Sequence, residues 1–147
     1  MSSRTRQVVV AGSFDDMRSR HIRFLEEAAK FGELRVLLWN DDTARRLTGE
    51  PPKFPQPERQ YLLQGIRYVS RVKLADDSLD LDSLLQIKDF KPQVWVLESS
   101  QDNPARKNFC AAHGIECRVL HDEDLRGFPE QPSAPRERDV YRSQAPE

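Results

Sequence analysis

Ten consecutive residues near the amino terminus hold the side chains best suited to chemistry: Gly12-Ser13-Phe14-Asp15-Asp16-Met17-Arg18-Ser19-Arg20-His21. Glycine and serine let backbone come close to a ligand. Arg18 and Arg20 are permanent cations whose forked donors match a phosphate. His21 can donate or accept near neutral pH. Between a strand and a helix, such a loop binds anions through free N–H groups and the positive end of the helix dipole. A charged, solvated helix start or a structural histidine uses the same residue types, so the bland reading stands beside the functional one.

The elements around the loop decide where it sits. Residues 8–11 are a β-branched apolar run ended by Gly12, the pattern of a buried strand. From Ser19 the period becomes helical, with Ile22, Leu25, Ala28 and Ala29 on one face and Arg23, Glu26, Glu27 and Lys30 on the other. Gly32 stops the helix and residues 34–39 form a second apolar run. A strand-loop-helix-strand unit implies parallel strands and a right-handed crossover, with ligands at the carboxyl ends of the strands.

Further along, residues 42–57 read as a connection with no continuous helix, given Pro51, Pro52, Pro55 and Pro57; Arg45, Arg46 and Lys53 lie in it. Pro57-Glu58-Arg59 opens a helix whose expected inner stripe is Tyr61, Leu62, Gly65, Ile66 and Val69. A short strand at 72–74, a helix over 80–90, a strand at 94–97, a helix over 104–113 ended by Gly114, and a strand at 117–120 follow. Glu98-Ser99-Ser100 leaves the fourth strand at the same edge as the loop, and Asn103 suits a helix cap before Pro104. The alternation predicts an α/β, Rossmann-like three-layer sandwich with a mostly parallel five-stranded sheet. Its expected extent is 1–127. Residues 128–147, with four prolines and few apolar residues, read as a proline-rich disordered tail.

At 147 residues the chain suits one domain, with 37% hydrophobic and 32% charged residues. A net charge of −1 gives no general pull toward nucleic acid or membrane, so neither partner is expected. No apolar run approaches the ~20 residues that span a bilayer, and no signal-peptide pattern opens the chain; the expected location is cytoplasmic. Cys110 and Cys117 read as reduced, partly buried thiols, and with His113 they make a poor zinc set, so no metal site is expected. Neither the Gly-x-x-x-x-Gly-Lys-Ser/Thr phosphate loop nor Gly-x-Gly-x-x-Gly occurs after the first strand.

The segment from Gly12 to His21 resembles the G-x-F-D-x-x-H-x-G-H signature of the cytidylyltransferase-like nucleotidyltransferases, among them the glycerol-3-phosphate, phosphocholine and phosphoethanolamine cytidylyltransferases. Asn40-Asp41 is similar to the Ser-Asp after that family's second strand, Pro51-Pro52 to its Gly-Pro-Pro, and Glu58-Arg59 to its Glu-Arg. Arg67-Tyr68-Val69-Ser70-Arg71-Val72 is similar to its K-W-V-D-E-V. The likeness spans about residues 8–120.

The resemblance implies transfer of a nucleoside monophosphate from CTP or ATP to a small phosphorylated acceptor, with release of pyrophosphate. Mg2+ would enter with the triphosphate, and a homodimer is compatible with it. His21 and Arg18 fall at the reacting phosphates. Ala11, Gly12, Ser13, Phe14, Asp15, Arg20, Asp41, Lys53, Arg59, Glu98 and Ser99 fall at nucleotide contacts.

The chain also departs from the pattern. Arg18 replaces the first histidine and Arg20 the glycine, and Gly49-Glu50 stands where Lys-Gly is usual, leaving Lys53 beyond the prolines. His121-Asp122-Glu123-Asp124 replaces a hydroxyl-and-arginine clamp, which is the wrong charge for a triphosphate. With its donors on one helix end, an enzyme of this kind would be slow. A working nucleotidyltransferase, a binding protein that has lost catalysis, and an interaction scaffold are the three readings.

Overall fold

The computed structural model describes residues 6–75, 82 and 91–129. The apolar runs become strands, the central ones buried on both faces and the edge strands more open: β1 (Gln7–Gly12), β2 (Glu33–Trp39), β3 (Arg71–Ala75), β4 (Val94–Glu98) and β5 (Glu116–Leu120). They form one sheet in the order β3-β2-β1-β4-β5, and every neighbouring pair is parallel. The chain winds outward from β1 in one direction and then returns to its other side at β4. That reversal opens a crevice at the carboxyl ends of β1 and β4.

Alternate residues feed two cores. Val8, Val10, Leu34, Val36, Val94 and Val96 pack with Phe24, Leu25 and Ala28 of the helix α1 (Ser19–Ala29). Val9, Leu37, Trp95 and Leu97 pack on the other face, with Ala75 and Cys110. Cys110 lies on the last of the helices that follow, α2 (Asp41–Thr48), α3 (Gln56–Gln64) and α4 (Pro104–His113). Cys110 is buried and Cys117 partly so, both as free thiols, and burial pushes the Cys110 thiol up to about 12, which makes it a poor nucleophile.

Three expectations need correction. The connection over 42–57 contains a helix, α2, because Asn40 caps it through Thr43 N–H at 2.8 Å and Gly49 ends it at φ 87°, before the first proline. The inner face of α3 carries Arg59 and Leu63, whereas Tyr61 is 77% exposed and Leu62 is also outside. Gly65, Ile66 and Val69 lie beyond that helix, and Ile66 and Val69 pack half-buried against the core. On α1, Ile22 is exposed and Arg23 is buried, since Arg23 donates to the carbonyls of Asp124 and Gly127 at 3.0 Å each. Those bonds hold a 3-10 turn, Asp122–Leu125, against α1. The expected helix over 80–90, apart from position 82, and the expected tail from residue 130 lie outside the described residues. Among the described residues no helix is long and apolar enough to cross a membrane.

Gly32 shows why a glycine ends α1. A β-carbon there would stand 2.3 Å from the Arg6 carbonyl oxygen, so any side chain would force β1 and β2 apart. The Glu33 N–H instead reaches that carbonyl at 2.8 Å and starts the β1–β2 ladder.

Candidate functional site

A crevice of about 160 Å³ opens at the switch point, lined by Ala11, Gly12, Ser13, Phe14, His21, Phe24, Trp39, Glu98 and Gln101. Drug-sized ligands fill roughly 300–1,000 Å³, so the enclosed part holds only a portion of a nucleotide and the rest must lie along the open edge.

The β1–α1 loop is held in an uncommon shape. Phe14 and Asp16 adopt φ of 47° and 50°, a left-handed conformation that costs an L-residue about 1–2 kcal/mol. Several contacts offset this. Phe14 is buried, and its ring lies over Gly12, where a β-carbon would stand 3.3 Å from the ring edge. The glycine's open side therefore takes a phenyl ring.

Asp15 accepts the backbone N–H groups of Lys53 and Phe54 at 2.7 and 3.0 Å. Arg59, completely buried, donates to Ser13 O at 2.6 Å, Trp39 O at 3.0 Å, Phe54 O at 2.8 Å and Asp41 at 2.7 Å. It thereby joins the loop, the end of β2 and the start of α3, with its donors turned to the protein. Asp41 remains partly exposed.

α1 has no acidic residue in its first turn and no side-chain oxygen as its cap; the His21 N–H turns back to Arg18 O at 2.9 Å, and the N–H groups of Ser19 and Arg20, with the dipole, face the position of an anion. His21 Nδ1 accepts the Arg18 N–H at 2.9 Å. A ring nitrogen that accepts carries no proton, which places the ring proton on Nε2 and makes that atom a donor. Phe14 meets the same ring edge-on, with centroids 6.5 Å apart.

Asp16 is shared by Arg18 and Lys53, each at 2.9 Å. The hydrogen bond from Arg18, then that from Lys53, lowers its pKa to about 2. Lys53 comes from the α2–α3 connection and Arg18 from α1, so cations reach the loop from two elements.

The opposite rim is wired differently. Arg20 binds Glu98 at 3.2 Å and Asp122 at 2.7 Å, which ties α1 to the end of β4 and to the 3-10 turn after β5. Those carboxylates raise the arginine's pKa, the Asp122 hydrogen bond most strongly. Gln101 knits the strand ends together by accepting the Glu98 N–H at 3.2 Å and donating to Ala11 O at 3.3 Å. Ser99 is exposed in the turn Ser99–Gln101 and does not line the crevice.

Of the residues singled out from the sequence, Ala11, Gly12, Ser13, Phe14, His21 and Glu98 line the crevice, while Asp15, Arg18, Arg20 and Lys53 brace its rims. Sequence reasoning missed Phe24, Trp39 and Gln101 as lining residues and Asp16 as the shared partner. An aspartate between GSFD and the arginines was a legible signal for Asp16. Nothing local marks the other three. Among the described residues no group of three or more His, Cys, Asp or Glu side chains stands ready to hold a metal ion.

The cytidylyltransferase-like family model matches residues 9–130. A protein named FAD synthase from Pyrococcus horikoshii is 40% identical over 105 residues, covering 69% of this chain and 68% of that protein. One of the same name from Pyrococcus abyssi is 38% identical over 120 residues, covering 78% of each. Among solved structures, a lipopolysaccharide core biosynthesis protein from Thermoplasma volcanium superposes with a TM-score of 0.66 at 26% identity, over 80% of this chain and 95% of that one. The match takes in the whole crevice, from the loop after β1 to the turn after β5, and this chain belongs to the cytidylyltransferase-like family.

Proposed function

We propose that this protein is a nucleotidyltransferase that joins the adenylyl group of ATP to FMN, forming FAD and pyrophosphate. The observation that carries the reading is the His21 ring, held by the Arg18 N–H so that Nε2 is its donor, in a crevice at the start of a helix whose cap has no side-chain oxygen. The relatives named FAD synthase support the choice of substrates, since each is covered over two thirds or more of its length. In the reaction a phosphate oxygen of FMN attacks the α-phosphorus of ATP. The new P–O bond forms as the bond to the β-phosphate bridging oxygen breaks, and the electron pair leaves with pyrophosphate. His21 Nε2–H and the first N–H groups of α1 stabilise the charge that grows on the phosphates. Arg18 and Lys53 draw the departing pyrophosphate from the side of Asp16. Mg2+ would enter bound to the triphosphate, since among the described residues no group of three or more His, Cys, Asp or Glu side chains stands ready to hold it.

A binding protein without turnover is the second reading. It is favoured by the acidic turn Asp122–Leu125 and the closed Arg20–Glu98–Asp122 bridge. Incubation with FMN and either ATP or CTP, followed by chromatography for the dinucleotide and a pyrophosphate assay, separates the two. FAD formed with ATP, and lost about 100–1,000-fold in His21→Ala, is the expected result. Binding of both ligands without product supports the second reading, and binding of neither overturns both.

A further inference from the structure

We propose that the indole of Trp39 is the surface on which a flat heteroaromatic ring of the substrates lies, either adenine or the isoalloxazine of FMN. The inference rests on the substrate reading above. Three aromatic side chains line the crevice together with His21: Phe14 of the β1–α1 loop, Phe24 of α1 and Trp39 of β2. Phe14 and Phe24 are 8% and 2% exposed and committed to the core. Trp39 is partly exposed, so its ring is the apolar face that the crevice still offers.

Its placement suits a platform. Trp39 ends β2, pairs in register with Ala75, and its carbonyl oxygen accepts from the buried Arg59 at 3.0 Å. The next residue, Asn40, caps α2, so the backbone is pinned on both sides. The ring packs half-buried against the core on the second face of the sheet, so only part of it is left open. A buried indole N–H normally finds an acceptor, yet Nε1 of Trp39 is shut from solvent with no partner among the described residues. Core packing fixes the ring in place, and its open part offers a ligand an apolar surface without a hydrogen-bonding demand. His21 lines the same crevice, so a ligand anchored there by its phosphate brings its attached ring toward Trp39. Stacking on an aromatic side chain tolerates any flat heterocycle, because each presents a π-face.

The test is titration of the full chain with FMN and, separately, with a non-hydrolysable ATP analogue. Trp39→Leu should weaken one ligand by roughly 5- to 100-fold and leave the other within about twofold. The arm that moves names the ring. Trp39→Phe, which keeps an aromatic face, should stay within about threefold. If the ring is isoalloxazine, bound FMN will also be strongly quenched by the unaltered protein and less so by the Phe variant, since indole is the better electron donor. Trp39→Met, which removes the aromatic face with less loss of volume, serves in place of the Leu variant should that one not fold. Unchanged affinity for both ligands in a folded Leu or Met variant would overturn the inference and leave the substrate reading intact. Failure of the unaltered protein to bind either ligand would overturn both.

Discussion

The two rims of the crevice mirror each other with the charges exchanged. On the β1–α1 rim one carboxylate, Asp16, is shared by two cations, Arg18 and Lys53, while Asp15 is taken up by backbone N–H groups. On the opposite rim one cation, Arg20, is shared by two carboxylates, Glu98 and Asp122, leaving a negative charge over. The first arrangement can lend its cations to phosphates; the second holds secondary-structure ends together and repels them. Under the proposed function, phosphate handling would fall on one side of the site. Lys53 supplies a second element there, so the expectation that all donors come from one helix end does not describe this loop.

Arg59 underlies the first rim and gives the largest expected effect. Arg59→Met would leave the Ser13, Trp39 and Phe54 carbonyls without this donor, while Asp41 keeps its access to solvent. Each buried carbonyl left unpaired costs about 1–3 kcal/mol, read as a fall in the urea midpoint. A loss below about 1 kcal/mol, the range of a surface pair, would mean that the loop keeps its shape without Arg59. On the other rim, Asp122→Asn removes one of the two carboxylates on Arg20. Affinity for an ATP analogue should rise about two- to threefold at low salt and revert as salt screens the field. A rise that persists at high salt would point to a direct contact, and the comparison of rims would need revision.

The smallest effect tests how tightly Asp16 is shared. Its pKa falls from an ordinary 3.8 to about 2 in the folded chain. A depressed carboxylate contributes stability that is fully present above 3.8 and is lost as pH falls through about 2. Asp16→Asn should therefore lose less thermal stability between pH 4 and pH 2 than the unaltered chain. Because Asp16 is solvated, the difference will be small. Parallel melting curves across that window would show that the cations do not hold Asp16.

Much of this architecture was legible locally. The five strands are apolar at successive or alternate positions, and a sheet buried on both faces needs that pattern. Asn103 and Gly114 bracket α4 as their chemistry requires. The helix α2 was hidden because four prolines coloured the reading of a longer segment, although Asn40 and Gly49 mark its ends before the first of them. Arg23 was read as outward-facing because its partners are 101 and 104 residues away, where no helical period can announce them. The site divided in the same way. The loop from Gly12 to His21 is contiguous and could be read directly. Trp39 joins it because β2 pairs beside β1, and Gln101 only because β4 returns to the other side of β1.

Arg59 also sets an order of assembly. Its guanidinium reaches back 46 residues to Ser13 and 20 to Trp39, so the loop after β1 cannot take its final form on a nascent chain that ends before α3. The first strand and helix can pair early, through short-range contacts. The loop at Ser13 must wait for an arginine synthesised later, and its final shape is among the last features this half of the molecule acquires.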